Sequence, residues 1–254
     1  MAVIIAISNQ KGGVGKTTTS INLSSAIANK GKRVLLIDLD PQGNTTSGLG
    51  VNKAEVSRGI YHVLCGESTV NQALMVTGNQ NLKLVPASID LAGAEVELLS
   101  RNKREFILKE ALEPIKNAFD YILIDCPPSL TVLTLNALTA ANKVIVPIQC
   151  EFFALEGLGQ LMNTVKLVKQ HLNPELAVDG VVCTMFDSRT NLSAQVVQEV
   201  KKYFASKVYN TTIPRNIRLA EAPSYGLPID KFDKYCPGSL AYARLAGEVI
   251  QRNG

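Results

Sequence analysis

A short apolar run, Val3-Ile4-Ile5-Ala6-Ile7, leads into Lys11-Gly12-Gly13-Val14-Gly15-Lys16-Thr17-Thr18-Thr19. The run is β-branched and uninterrupted, which predicts a strand buried on both faces, as in a parallel sheet. After the loop, Ile21, Leu23, Ala26 and Ile27 recur at helical spacing, and Lys30-Gly31 supplies a basic last turn and a glycine stop. Strand, glycine loop and helix in that order make a phosphate-binding loop of the general form G-x-x-x-x-G-K-[ST]. The glycines let backbone N–H groups face phosphate oxygens, and the helix N-terminus adds its positive dipole end. Two positions depart from the general form. Gln10 stands where the leading glycine belongs, and a second lysine, Lys11, precedes Gly12. A dinucleotide loop would need G-x-G-x-x-G, and no such match lies between the strand and its helix.

Buried-type strands are predicted again at 34–37, 82–85, 121–124, 144–148 and 178–183, with a weaker one at 208–213. Helical patterns fall between them, at 91–99, 104–118, 134–140, 155–171, 193–203 and 240–250. Alternation of this kind implies an α/β, three-layer fold: a mainly parallel sheet with helices on both faces. With 254 residues, 46% of them hydrophobic, one domain spanning 1–254 is expected. The segment 52–78 has a weaker pattern and reads as a small helical excursion. Ligands in such sheets bind beyond the C-terminal ends of the strands, where every polar motif of this chain falls.

Thr17 should place its hydroxyl on Mg²⁺ and Lys16 should reach the β- and γ-phosphates. The second strand delivers Asp38-Leu39-Asp40-Pro41-Gln42-Gly43-Asn44. Two acids two apart on an extended end point to opposite sides, so one can brace the loop while the other faces the phosphates. Asp40 is the better candidate for the attacking water, since Pro41 and Gly43 let the chain turn over the γ-phosphate. Another strand ends in Asp125-Cys126-Pro127-Pro128-Ser129, and Asp125 is the candidate second metal contact. Cys65, Cys126, Cys150, Cys183 and Cys236 are scattered, with no C-x-x-C pair, and read as buried free thiols. No apolar stretch reaches the roughly 18–20 residues a membrane span needs, and the start lacks a signal-peptide pattern, so a cytoplasmic protein is expected. Charge is uneven. Residues 201–254 carry nine Lys/Arg against four acids, a net of +5 in a chain of net +4. That balance permits nucleic-acid binding without requiring it.

The loop motif, the Asp38–Asn44 and Asp125–Ser129 segments, Leu138-Thr139-Ala140-Ala141, Pro147-Ile148-Gln149-Cys150-Glu151 with Ala154-Leu155-Glu156-Gly157, and Ile213-Pro214-Arg215-Asn216 together resemble the ParA/Soj family of partition ATPases. That family lies within the MinD/ParA class of P-loop NTPases with a deviant Walker A motif, a SIMIBI-like fold. The resemblance covers essentially the whole chain. It implies an ATPase with Mg²⁺ as cofactor, ATP as substrate and weak intrinsic turnover. Lys11, Lys16 and Asp40 are the implied catalytic set, Lys11 being the signature lysine that reaches phosphates held by a partner subunit. Gly12 is implied to let two subunits approach closely. Lys11, Gly12, Gly13, Val14, Gly15, Lys16, Thr17 and Thr18 would surround the phosphates. Phe186, Asp187, Pro214, Arg215 and Asn216 fall where the family holds adenine and ribose. Arg189 and Arg218 match its DNA-contacting arginines.

The implied partners are a second copy in the ATP state, non-specific double-stranded DNA, and a ParB/Spo0J-like centromere-binding protein. The implied place is the nucleoid. An N-terminal helix-turn-helix extension, and the sequence-specific operator binding it would bring, is not expected; the chain after 250 lacks the basic apolar tail of the MinD branch, so no membrane anchor is expected either. A MinD-like spatial regulator acting on division or cargo positioning is the alternative.

Overall fold

The apolar runs become strands because helices cover both of their faces. The computed structural model describes residues 1–151 and 154–254. Its sheet contains β1 (Val3–Ile7), β2 (Val34–Asp38), β3 (Met75–Val76), β4 (Leu82–Val85), β5 (Tyr121–Asp125), β6 (Lys143–Gln149) and β7 (Ala177–Thr184). Their order is β3-β4-β2-β5-β1-β6-β7. All neighbours run parallel except the short β3–β4 pair. In β1, Ile5 and Ile7 enter one core while Ile4 and Ala6 enter the other, as the two-residue period of a strand requires.

The helices among the described residues are α1 (Lys16–Ala28), α2 (Asn44–Gly48), α3 (Ile60–Leu64), α4 (Val70–Ala73), α5 (Leu91–Leu99), α6 (Ile107–Leu112), α7 (Val132–Ala140), α8 (Ala154–His171), α9 (Asn191–Phe204), α10 (Ile217–Glu221), α11 (Ile229–Phe232) and α12 (Pro237–Asn253). Leu23 and Ile27 of α1 and Tyr242, Leu245 and Val249 of α12 pack on the Ile5/Ile7 face. Leu98 of α5, Leu112 of α6, Leu133 of α7, Leu161 of α8 and Val200 of α9 fill the opposite core. Each such side chain, fully buried, contributes on the order of 1.5–3 kcal/mol. The expected three-layer architecture is therefore present. The side chains of Ala154, Leu155 and Glu156 in the Ala154–Gly157 motif lie outside the described residues.

Three expectations need correction. The segment 208–213 is not a strand. Tyr209 donates its N–H to Val181 and Ile213 donates to Cys183, but between them Asn210 and Thr211 give their N–H groups to the Glu248 carboxylate of α12. A side chain has replaced the neighbouring ladder. The helix at 104–118 is broken into 3₁₀ turns flanking α6, and Pro114, which lacks an N–H, sits in the second of them. The excursion at 52–78 is helical as expected in α3 and α4, but it ends in the antiparallel edge strand β3.

Candidate nucleotide site

The glycine loop leaves β1 at the C-terminal end of the sheet and is pinned on both sides. Asn9 donates from Nδ2 to the Pro147 carbonyl at 2.7 Å and accepts the Lys11 N–H on Oδ1 at 3.0 Å. The Thr184 hydroxyl hydrogen is shared between the carbonyls of Val14, at 2.8 Å, and Ile148, at 2.9 Å. Gly13 and Gly15 take φ of +75° and +85°, where a side chain would be strained. Gly15 then caps α1, and Lys16 follows as its first residue. Lys16 is buried, and its Nζ donates to the Lys11 carbonyl at 3.1 Å. Burial lowers its pKa, and the nearby carboxylates of Asp125 and Asp40 oppose that shift.

Two strands bring carboxylates to this helix end. Asp125 closes β5 and is fully buried. Its Oδ2 accepts from Thr17 at 3.0 Å and Thr45 at 2.7 Å, and its Oδ1 accepts from Ser20 at 2.8 Å. Asp38 closes β2 directly opposite Asp125 in register. It accepts the Thr46 N–H and hydroxyl at 2.7 and 2.6 Å. Burial raises the pKa of both carboxyls, and the Asp125 charge raises Asp38 further. The surrounding hydroxyls pull both back. Asp38 is thus the bracing acid, and it holds α2. Asp40 lies beyond the strand end, and its Oδ1 accepts the Gln42 N–H at 2.9 Å.

A carboxylate and a threonine hydroxyl beside a buried lysine are hard oxygen donors that fit a magnesium ion sharing its shell with phosphates. Among the described residues no group of three His, Cys, Asp or Glu side chains forms an all-protein cage. Cys126 beside them is buried, and burial pushes its thiol up, so it stays protonated and inert.

A cavity of about 390 Å³ opens beside Gly15 and Thr18. Thr184, Met185, Ile213, Pro214, Arg215 and Asn216 line it, with Tyr242 at its inner wall. The Tyr242 hydroxyl lies 3.1 Å from Thr19 Oγ1, which joins α12 to the loop helix. Asn216 Oδ1 is buried without a hydrogen-bond partner. The residue lines the cavity while this oxygen is closed off from it, so a ligand that brings an N–H would reach it once the amide turns outward. Pro214, Arg215 and Asn216 thus share one cavity with the head of the glycine loop. Phe186 and Asp187 do not line this cavity. Phe186 packs against the core while its backbone pairs with Ile213 and Arg215. Asp187 holds Arg189 instead, and that guanidinium keeps its carboxyl low, at about 2. Thr184 and Met185 take the wall positions. Hydroxyl residues such as Ser20, Thr45 and Thr184 were missed because no local pattern marks them.

The outward charges are mostly occupied. Lys11 lies 3.9 Å and Arg215 3.8 Å from the Glu151 carboxylate. Arg218 pairs with Glu221 at 2.9 Å and Asp233 at 3.5 Å, above the Phe232 ring. Gly12 is exposed, and a Cβ there would meet nothing within 4 Å.

Comparison with known proteins extends these observations over the whole chain. The sequence model of a family described as an AAA domain matches residues 2–178. The sporulation initiation inhibitor protein Soj of Bacillus subtilis is 57% identical, covering 98% of each chain. The chromosome partitioning protein ParA of Caulobacter vibrioides is 53% identical, over 98% of this chain and 94% of that one. A crystal structure of Mycobacterium smegmatis cobyrinic acid a,c-diamide synthase with bound ATP analogue and magnesium superposes with a TM-score of 0.87. It is 41% identical and covers 99% of this chain and 95% of that one. The fold is that of a P-loop NTPase.

Proposed function

The chain belongs to the ParA/Soj family of chromosome-partitioning ATPases, and from that premise we propose that it is a Mg²⁺-dependent ATPase whose nucleotide state controls its pairing and its hold on DNA. The observation that carries this reading is the convergence of Lys16, Thr17 and Asp125 at the head of α1, with Asp40 just beyond the neighbouring strand. Thr17 and Asp125 would hold the ion, which neutralises phosphate charge when bound. Lys16 contributes a desolvated cation to the phosphates, and the N–H groups of Gly13–Thr18 supply a fixed set of donors. The Asp40 carboxylate orients water for attack on the γ-phosphate. Asn216 Oδ1 accepts from the adenine amino group, and Pro214 and Arg215 flank the base.

Lys11 completes the site of a second copy. In the lone subunit Glu151 lies beside it, which suits slow intrinsic turnover. Gly12 has room for a side chain within its own subunit, so its lack of one serves what approaches from outside, the nucleotide or a second copy. The ATP-bound pair would present Arg189 and Arg218 to duplex phosphates without reading bases, placing the protein on the nucleoid. A ParB/Spo0J-like protein would stimulate hydrolysis and release. No helix among the described residues is long and apolar enough to cross a membrane.

Sedimentation of Asp40→Ala with Mg-ATP tests the reading directly. The expected result is a dimer that binds two unrelated duplexes equally, and a Gly12→Val monomer that still binds ATP. A monomer at saturating ATP would reject nucleotide-driven pairing. ATP-dependent binding to vesicles but not DNA would favour a MinD-like regulator.

A further inference from the structure

We propose that Lys53 is a positioning residue for hydrolysis, holding the Asp40–Gly43 turn and through it the Asp40 carboxylate; this rests on the ATPase reading above. Lys53 opens a short 3₁₀ turn, Lys53–Glu55, on the excursion between β2 and β4. That turn is itself fixed. Asn52 Oδ1 accepts the Ala54 N–H at 3.1 Å, and Asn52 Nδ2 donates to Glu55 Oε1 at 2.8 Å. From this base Lys53 reaches back and donates from Nζ to the Gln42 carbonyl at 2.7 Å.

Its aliphatic stem lies across Gly43. A Cβ on Gly43 would meet Lys53 Cδ at 2.5 Å, and Gly43 has a φ of +60°. Glycine is therefore needed twice, for the left-handed turn and for the lysine lying over it. Inside the turn, the Gln42 N–H goes to Asp40 Oδ1 at 2.9 Å and the Gly43 N–H to the Asp40 carbonyl at 2.8 Å. The peptide joining Gln42 to Gly43 is gripped at both ends, by the ammonium on its oxygen and by Asp40 on its N–H. A cation on a peptide oxygen polarises the unit and strengthens its N–H as a donor. Without the ammonium that peptide keeps only its Gly43 N–H bond to the Asp40 carbonyl, and the turn is held less firmly at Gln42, whose own N–H, one peptide earlier, is the donor that aims the Asp40 carboxylate. Lys53 touches a backbone carbonyl and none of the reacting atoms, so its effect passes through Asp40.

Lys53→Met keeps the stem over Gly43 and deletes the charge, while Lys53→Arg keeps a cation. Steady-state hydrolysis, equilibrium ATP binding and thermal unfolding are measured on the full chain. The expected loss in kcat for Lys53→Met is about tenfold, that of one charge-assisted hydrogen bond acting in the transition state. KM, ATP affinity and the unfolding midpoint stay near wild type, and Lys53→Arg recovers most of the rate. In an Asp40→Asn background, Lys53→Met has no further effect, because the group it positions is gone. Gly43→Ala, which displaces the stem, gives an independent disturbance with the same kcat loss. Wild-type kcat in Lys53→Met, a full loss repeated on top of Asp40→Asn, or a matching loss of ATP affinity would each overturn the proposal. A wild-type protein that binds ATP and never hydrolyses it would instead overturn the ATPase reading.

Discussion

Asn216 carries a buried oxygen with nothing to accept from, on the wall of a cavity that opens at the glycine loop. Leaving such an acceptor unpaired costs about 1–3 kcal/mol, which a bound adenine would recover. Asn216→Ala should therefore weaken ATP roughly tenfold and GTP much less, measured by competition for a fluorescent nucleotide. Lys16→Ala should abolish most affinity for either nucleotide, since it removes the buried cation beside the loop. If Lys16→Ala binds ATP as wild type does, the phosphates lie elsewhere. Lys16, Thr17, Asp38, Asp40 and Asp125 were legible in the sequence because a glycine loop or the end of an apolar strand fixes where each emerges. Thr45, Thr184 and Tyr242 were not, since a hydroxyl far along the chain gives no local sign of the strand end it will meet. Met185 was missed because its φ of +51° swings the chain. That turn sends Phe186 toward the core and leaves Thr184 and Met185 on the wall.

Elements were read best where both faces of a run are buried, as in β1, β2 and β5, and worst where a side chain stands in for a strand. The segment after α9 has β-branched residues in a strand-like run, yet Glu248 of α12 takes the amides of Asn210 and Thr211 and the Thr211 hydroxyl. Nothing in a single run of sequence foretells an acceptor donated from a distant helix. Glu248→Ala leaves those two N–H groups without their partner. It should lower stability by about 2 kcal/mol in urea unfolding, with an unchanged m value. A change under half that size would mean water satisfies the amides as well as the carboxylate does. The 104–118 helix failed for a simpler reason, a proline at 114 inside an otherwise helical pattern.

The positive charge of the two arginines read as DNA contacts, one of them in the C-terminal fifth, is less available than the count suggests. Arg189 is held by Asp187, and Arg218 by Glu221 and Asp233. Exposed pairs of this kind are weak, so the phosphates of the proposed DNA partner would compete for the guanidinium. Glu221→Gln should raise affinity for random duplex roughly two- to fivefold at moderate salt, and Arg218→Glu should abolish it, with ATP binding unchanged in both. Equal affinity in all three proteins would remove Arg218 from the DNA surface. The two rims of the sheet carry a different consequence. On β7, the Asp179 carbonyl accepts from Arg252, that of Val181 from the Tyr209 N–H and that of Cys183 from the Ile213 N–H. The opposite rim is β3, two residues long. Neither rim offers an open ladder on which another chain could lay a strand. Copies of this chain brought close together therefore find no sheet edge through which to pair backbone to backbone.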